Sequence, residues 1–342
     1  MQREWVGPGG AQAEYLRVPQ AHFGPIKVPD DGTPDERWLF LSDVLPTAWQ
    51  AVRYADVPDG GTVAVFGLGR TGLTAARALV AGGAEVALWD EKEGGRAAAA
   101  AEGFPVVDLK TADWSSFAAL MLSPGVPLTH PKPHWTVDKA REAGVEILGD
   151  IELFARTVNA APEHKRPKII AITGTNGKST TTALLGHLCR TAGRDTRVGG
   201  NIGTGVLGLE DMHGGAVYVL ELSSYQLDLT SSLKPDVAVL LNITPDHLDR
   251  HGGMEGYIAA KRRVFLNQDK GDTAVIGVDD AYCQRICTEI MAANKRTIWP
   301  ISAGKAMGRG VYALSGMLYD GTGERVLEVA DLLVRLASPS SV

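Results

Sequence analysis

The sequence has 342 residues, 44% of them hydrophobic and 22% charged, with a mean hydropathy of -0.03; at roughly 150 residues per domain this makes about two domains. No apolar run approaches the ~18 residues of a membrane span, and MQREWVGPGG has no basic segment followed by an apolar one, so neither a membrane protein nor a secreted one is expected, and the cytoplasm is the expected compartment. A net charge of -6 and a pI near 5.8 argue against a nucleic-acid surface, and Cys189, Cys283 and Cys287 lack the spacing of a zinc site or a disulfide framework.

Residues 1–60 carry seven prolines and no strand-helix alternation, with one helix-like stretch at Pro46–Tyr54. From residue 61 the pattern changes. Short Val/Ile/Leu-rich runs at 63–67, 86–89, 118–122, 168–173, 216–221, 236–242 and 273–277 read as buried strands. Amphipathic stretches at 71–82, 135–143, 179–192, 255–268 and 279–295 read as the helices between them. This alternation predicts an α/β fold with parallel sheets. The polar, proline-rich segment Asn159–Pro167 is the expected boundary, dividing 61–160 from 161–305, and Gly310–Tyr319 around Ser315-Gly316 reads as a hairpin within a final segment, 306–342. Forty glycines, about 12% of the chain against a typical ~7%, follow no collagen period. They are expected at turns that approach phosphates.

The sharpest chemical signal is the run Ile169-Ile-Ala-Ile-Thr-Gly174-Thr-Asn-Gly177-Lys178-Ser179-Thr180, a strand, a glycine loop and a helix start. Such a loop turns backbone N–H groups towards phosphate oxygens, the helix N-terminus adds its dipole, Lys178 adds charge and Ser179 offers a hydroxyl to Mg2+. Glu221 closes an apolar strand, where a carboxylate projects from the sheet edge at which open α/β folds bind ligands. Gly67-x-Gly69-x-x-Gly72 follows another strand, with Asp90 about twenty residues on; alone this is the dinucleotide fingerprint, and it keeps an NAD(P)-dependent oxidoreductase open.

Gly174-Thr-Asn-Gly-Lys-Ser-Thr180 resembles the loop of the Mur ligases, ATP-dependent amide-forming enzymes of peptidoglycan synthesis. Asn201-Ile-Gly203, Glu221-Leu-Ser-Ser-Tyr-Gln226, Asn242-Ile-Thr-Pro-Asp246-His247 and Tyr257-Ile-Ala-Ala-Lys261 occur in that family's order. Phe66–Gly72 and Ser123-Pro-Gly-Val126 resemble its UDP-binding domain in the D-glutamate-adding branch. The resemblance covers about residues 61–300. It implies a Rossmann-like UDP-sugar domain, then a P-loop central domain, with ATP and Mg2+ as cofactors, a UDP-sugar-peptide and D-glutamate as partners, and a monomer. It implies Lys178, Glu221, His247 and Lys261 as catalytic residues. ATP would lie on Gly174, Thr175, Asn176, Gly177, Lys178, Ser179, Thr180 and Asn242. The sugar-peptide would lie on Gly69, Thr71, Gly72, Asp90, Ser123, Pro124, Gly125, Asn201, Ser223 and Gln226, with Tyr225 as packing. Metal ligands would be Ser179, Glu221, His247 and a carbamylated Lys261, whose formation needs a neutral amine and therefore a depressed pKa.

Two departures accompany the resemblance. Residues 1–69 are similar instead to a zinc-dependent alcohol dehydrogenase, with Asp43 at a zinc-ligand position but none of the other ligands. The family's third, C-terminal domain is not recognisable before Val342. Ligase chemistry with weak or no turnover by this chain alone is therefore the expectation, with a non-catalytic nucleotide-binding fragment as the alternative.

Overall fold

A computed structural model describes residues 61–210 and 212–321, and the backbone of 325–328. The helix-like stretch 46–54 and Asp43 lie outside the described residues.

The first sheet is built from β1 (Thr62–Phe66), β2 (Glu85–Trp89), β3 (Phe117–Leu122) and β4 (Glu146–Leu148), ordered β2-β1-β3-β4 and parallel throughout. Helices α1 (Arg70–Ala81), α2 (Glu93–Ala101) and α3 (Trp135–Glu142) make the connections. Alternate strand residues divide between two cores, as a sheet covered on both faces requires. Val63, Val65, Val86, Leu88 and Met121 face one, and Ala64, Phe66, Ala87, Leu120 and Leu122 the other.

After α4 (Asp150–Ala160) the second sheet takes up nine strands in the order β13-β12-β11-β10-β9-β8-β5-β7-β6. They are β5 (Lys168–Thr173), β6 (Asp195–Gly200), β7 (Ala216–Glu221), β8 (Val237–Leu240), β9 (Thr273–Gly277), β10 (Thr297–Ser302), β11 (Val311–Leu314), β12 (Met317–Asp320) and β13 (Arg325–Glu328). Pairing is parallel from β6 to β11 and antiparallel from β11 to β13. The expected hairpin is there, turning at Ser315-Gly316, both at positive φ. Its helices are α5 (Lys178–Thr191), α6 (Ser224–Asp228), α7 (Leu248–His251), α8 (Met254–Arg262) and α9 (Ala281–Ala293).

In both sheets the strand that feeds a glycine loop, β1 or β5, has neighbours reached by crossovers in opposite directions. Its C-terminal end is therefore a switch point, where an α/β sheet opens a crevice. Where elements differ from the sequence expectation, the cause is local. The helix expected over 279–295 begins only at Ala281, because the Asp280 carboxylate caps it by accepting from Cys283 N, and it ends at Asn294 at φ 48°. The helix expected over 255–268 stops at Arg262 and tightens into a 3-10 turn, Arg263–Phe265.

Candidate active site between two glycine loops

Each end of the second glycine loop needs a backbone that favours glycine: Gly174 has φ +155° and Gly177 +81°. The loop is held from outside by Asn242, which follows β8. Its carbonyl accepts from Thr175 N (2.9 Å), its Oδ1 accepts from Asn176 N (2.9 Å), and its Nδ2 donates to the Asn176 carbonyl (3.1 Å). The Thr175 hydroxyl lies 3.1 Å from the Tyr257 hydroxyl and accepts from Thr244 N at 3.0 Å. The free N–H groups of the α5 start are thereby aimed by a rigid frame.

Two lysines meet this loop. Lys178 Nζ donates to the Thr175 carbonyl (2.9 Å), folding back on its own turn. Lys261, on α8 and only 1% exposed, donates to the Gly174 carbonyl at 2.7 Å and lies 4.7 Å over the Tyr257 ring. Burial, and after it the charge of Lys178, push the Lys261 amine down to about 7.

Glu221 ends β7 and is 2% exposed. One carboxylate oxygen accepts from Asn201 Nδ2 (2.7 Å), while the other is buried with no partner among the described residues. Gly200 makes this approach possible, since a Cβ there would come within 2.4 Å of the Glu221 carbonyl. A bare buried carboxylate oxygen is a fit for a divalent cation. Ser179 stands exposed in the first turn of α5, and no group of three or more His, Cys, Asp or Glu gathers among the described residues. A cation there would rest on few protein ligands and otherwise on phosphate oxygens, the habit of Mg2+. His247, at φ 51°, keeps its ring half exposed, 3.4 Å from Asp246 and 5.1 Å from the Tyr225 ring.

On the first sheet, Gly67 has φ +90°, and a Cβ on Gly72 would lie 2.0 Å from the Gly67 carbonyl, so Gly72 lets α1 pack on the loop. Gly69 and Gly125 meet nothing within 4 Å and leave their backbone open. Asp90 accepts from Leu68 N at 2.6 Å, and the Ser123 hydroxyl donates to the Gly67 carbonyl at 2.6 Å.

The first glycine loop, and Lys178 from the second, line one cleft of about 470 Å3. Its walls include Gly69, Thr71, Asp90, Ser123, Pro124 and Gly125 from the first unit and Lys178, Asn201, Ser223, Gln226, His247 and Lys261 from the second. Gly72, Glu221, Asn242 and the remaining loop residues Gly174, Thr175, Asn176, Gly177, Ser179 and Thr180 are not among its walls. Gln226 spends its side chain locally, closing a capping box with Ser223 and donating to the buried Asp150 at 3.2 Å. Sequence reasoning did not count Tyr225, Tyr257 and Asp246 as site residues, yet all three line the cleft. The available signal for Tyr257 was its spacing, four residues before Lys261 on one helix face.

One wholly parallel and one mostly parallel sheet, each with a glycine loop at its switch point and both loops contributing walls to one cleft, define a two-lobed nucleotide-binding α/β protein. Residues 61–149 match the Mur ligase MurD-like N-terminal domain and residues 172–319 the Mur ligase middle domain; over these stretches the chain belongs to the Mur ligase family. It is 87% identical over 272 residues to the UDP-N-acetylmuramoylalanine--D-glutamate ligase of Caulobacter vibrioides (strain NA1000 / CB15N), covering 80% of this chain and 58% of that one. It is 52% identical to the ligase of the same name from Brucella abortus (strain 2308), covering 79% and 57%. The chain thus spans less than three fifths of the length of these relatives. It shares its fold with the UDP-N-acetylmuramate:L-alanyl-gamma-D-glutamyl-meso-diaminopimelate ligase from Neisseria meningitides, with a TM-score of 0.50 at 15% identity, over 78% of this chain and 86% of that one. No helix among the described residues is long and apolar enough to cross a membrane.

Proposed function

We propose that this chain carries the UDP-sugar and ATP sites of an enzyme that joins D-glutamate to UDP-N-acetylmuramoyl-L-alanine in the cytoplasm, acting as a monomer with ATP and Mg2+. The observation that carries this reading is the shared cleft. It brings Lys178 and Lys261, at the glycine loop of the second sheet, to face the glycine loop of the first. Residues 61–160 would hold the UDP-sugar-peptide and 161–305 the nucleotide. The Gly67–Gly72 turn and Ser123–Gly125 would take the pyrophosphate, with Asp90 towards the uridine, and Asn201 and Ser223 would face the peptidyl end.

In the reaction a peptidyl carboxylate oxygen attacks the γ-phosphorus of ATP, ADP leaves, and the D-glutamate amine then displaces phosphate from the acyl phosphate. Such steps depend on positioning and charge neutralisation. Lys178, released from the Thr175 carbonyl, would turn to the phosphates. Glu221 and Ser179 would hold one Mg2+, and His247 and a carbamylated Lys261 a second, each supplying charge neutralisation when bound. An amine near pKa 7 carries a substantial neutral fraction near pH 7, about half, and the neutral form is the one that reacts with CO2.

Isothermal titration tests the reading with a non-hydrolysable ATP analogue and UDP-N-acetylmuramoyl-L-alanine as separate ligands. Both bind the chain. Lys178→Ala weakens the ATP analogue by about tenfold or more, as loss of a charged phosphate contact does, and leaves the UDP ligand unaffected. Binding of NADH in place of the UDP ligand would establish the oxidoreductase alternative instead.

A further inference from the structure

The start of α4 is tied to the second unit by buried and half-buried bonds. There Gln226 donates to Asp150, and the Ser231 and Ser232 amides donate to Glu152 at 2.7 and 3.0 Å. A different connection bridges the loop after β3. Arg250, on α7, donates from Nη1 to the Gly125 carbonyl at 2.9 Å, and its guanidinium lies 4.8 Å over the Tyr225 ring. Its Nε is buried with no partner among the described residues. Leaving such a donor unmade costs about 1–3 kcal/mol, so the side chain is held in this pose by the two contacts it does make.

Tyr225 is itself braced. The buried His251 ring stacks against it at 18° and 5.5 Å. His251 is fixed in turn, with Nδ1 3.0 Å from the Asp228 carboxylate and Nε2 3.0 Å from the Ser224 hydroxyl. Asp228, His251 and Ser224 thus hold the ring on which the guanidinium rests. On the other side, Ser123 is pinned by its hydroxyl to the Gly67 carbonyl and by its amide to the Phe66 carbonyl, while a Cβ added to Gly125 would meet nothing within 4 Å. Gly125 and Tyr225 both line the cleft, whereas Arg250 is not among its walls.

We propose that Arg250 is a positioning residue for the UDP-sugar end of the cleft: stacked on Tyr225, it fastens the Ser123-Pro124-Gly125 loop of the first unit to the second. This rests on the UDP-sugar reading for its ligand, but not for the fastening itself. Arginine suits the task because its planar fork stacks and donates at once; lysine is a point charge and does only one.

Hydrogen exchange followed by mass spectrometry on the ligand-free chain tests the fastening. In Arg250→Met, exchange in the segment 124–128 rises by about tenfold, the size expected from losing a partly buried cation–π contact and a charged hydrogen bond, while exchange at 169–180 is unchanged. Tyr225→Leu, which removes the ring beneath the guanidinium, loosens the same segment and decides the matter should Arg250→Met not fold. By titration, Arg250→Met binds UDP-N-acetylmuramoyl-L-alanine about tenfold more weakly and the ATP analogue as before, and Arg250→Lys does not restore the loss. Unchanged exchange at 124–128, a rise spread evenly over both units, or full rescue by Arg250→Lys would overturn the proposal. A wild-type chain that does not bind the UDP ligand overturns the functional reading, and the exchange results still decide the fastening.

Discussion

Lys261 is a lysine almost without water, and its energetics follow from that. Unfolded, its amine keeps a proton up to about 10.5; folded, burial lowers this to about 7. Between these values the unfolded chain binds the extra proton, so this group adds stability as pH rises from about 7 towards 10.5 and adds none by lowering the pH below 7. Lys261→Met, in CO2-free buffer without nucleotide or divalent cation, therefore loses about 2 kcal/mol of the wild-type gain between pH 6 and pH 9; urea denaturation at the two pH values measures it. The residue's type and its place in a basic run were legible in the sequence, but its burial was not. Lys261, Arg262 and Arg263 look alike in a run, and which of them turns inward depends on the Gly174 carbonyl, 87 residues away in sequence. Glu221 is similar: its strand-end position was readable, whereas the orphaned oxygen arises from the approach of Gly200 and Asn201.

At the scale of elements, the two glycine loops were legible because each places a glycine pattern directly between a buried strand and a helix. Their glycines do different jobs, which spacing alone does not separate. Gly72→Ala sets a methyl 2.0 Å from the Gly67 carbonyl and lowers stability by about 1–3 kcal/mol, as forced overpacking does. Gly69→Ala meets no atom within 4 Å and changes stability by less than about 1 kcal/mol. The same methyl enters the cleft and weakens the UDP ligand. Denaturation and titration of the two variants side by side check the contrast. The strands that escaped the sequence reading were those without an apolar run. β4 has three residues, β6 is the edge strand Asp195-Thr-Arg-Val-Gly-Gly, β13 has four residues at the other edge, and β10 carries Pro300. Edge position, brevity or an internal proline removes the signal by which buried strands are recognised. α4 escaped for another reason, since it lies against the boundary segment and serves both units.

At the scale of the molecule, α4 is the joint. Ile151, Phe154, Ala155 and Val158 belong to the core of the second sheet, while Leu153 belongs to the core of the first. Its first residue, Asp150, is 2% exposed, and burial pushes its carboxyl up to about 6. A raised carboxylate pKa costs stability as pH climbs from 3.8 through 6, where the folded chain holds a proton that the unfolded chain has released. Asp150→Asn removes that cost, and its stability relative to wild type improves by about 1 kcal/mol between pH 5 and pH 8, as urea denaturation at the two pH values would record. The composition seam at 159–167 runs from the end of α4 to β5, the first strand of the second sheet. That the helix before it packs on the cores of both sheets was not legible, because its apolar positions show which residues are buried but not which sheet covers them.

The seam itself, Pro162 to Arg166, is exposed and carries Lys165 and Arg166. A protease that nicks it would cut the covalent thread and leave α4 with its apolar side chains seated in the core of the other fragment. The two pieces would then run as one particle in native chromatography and part only in denaturant, so the halves of this cleft are held in register by a shared helix rather than by an unbroken chain.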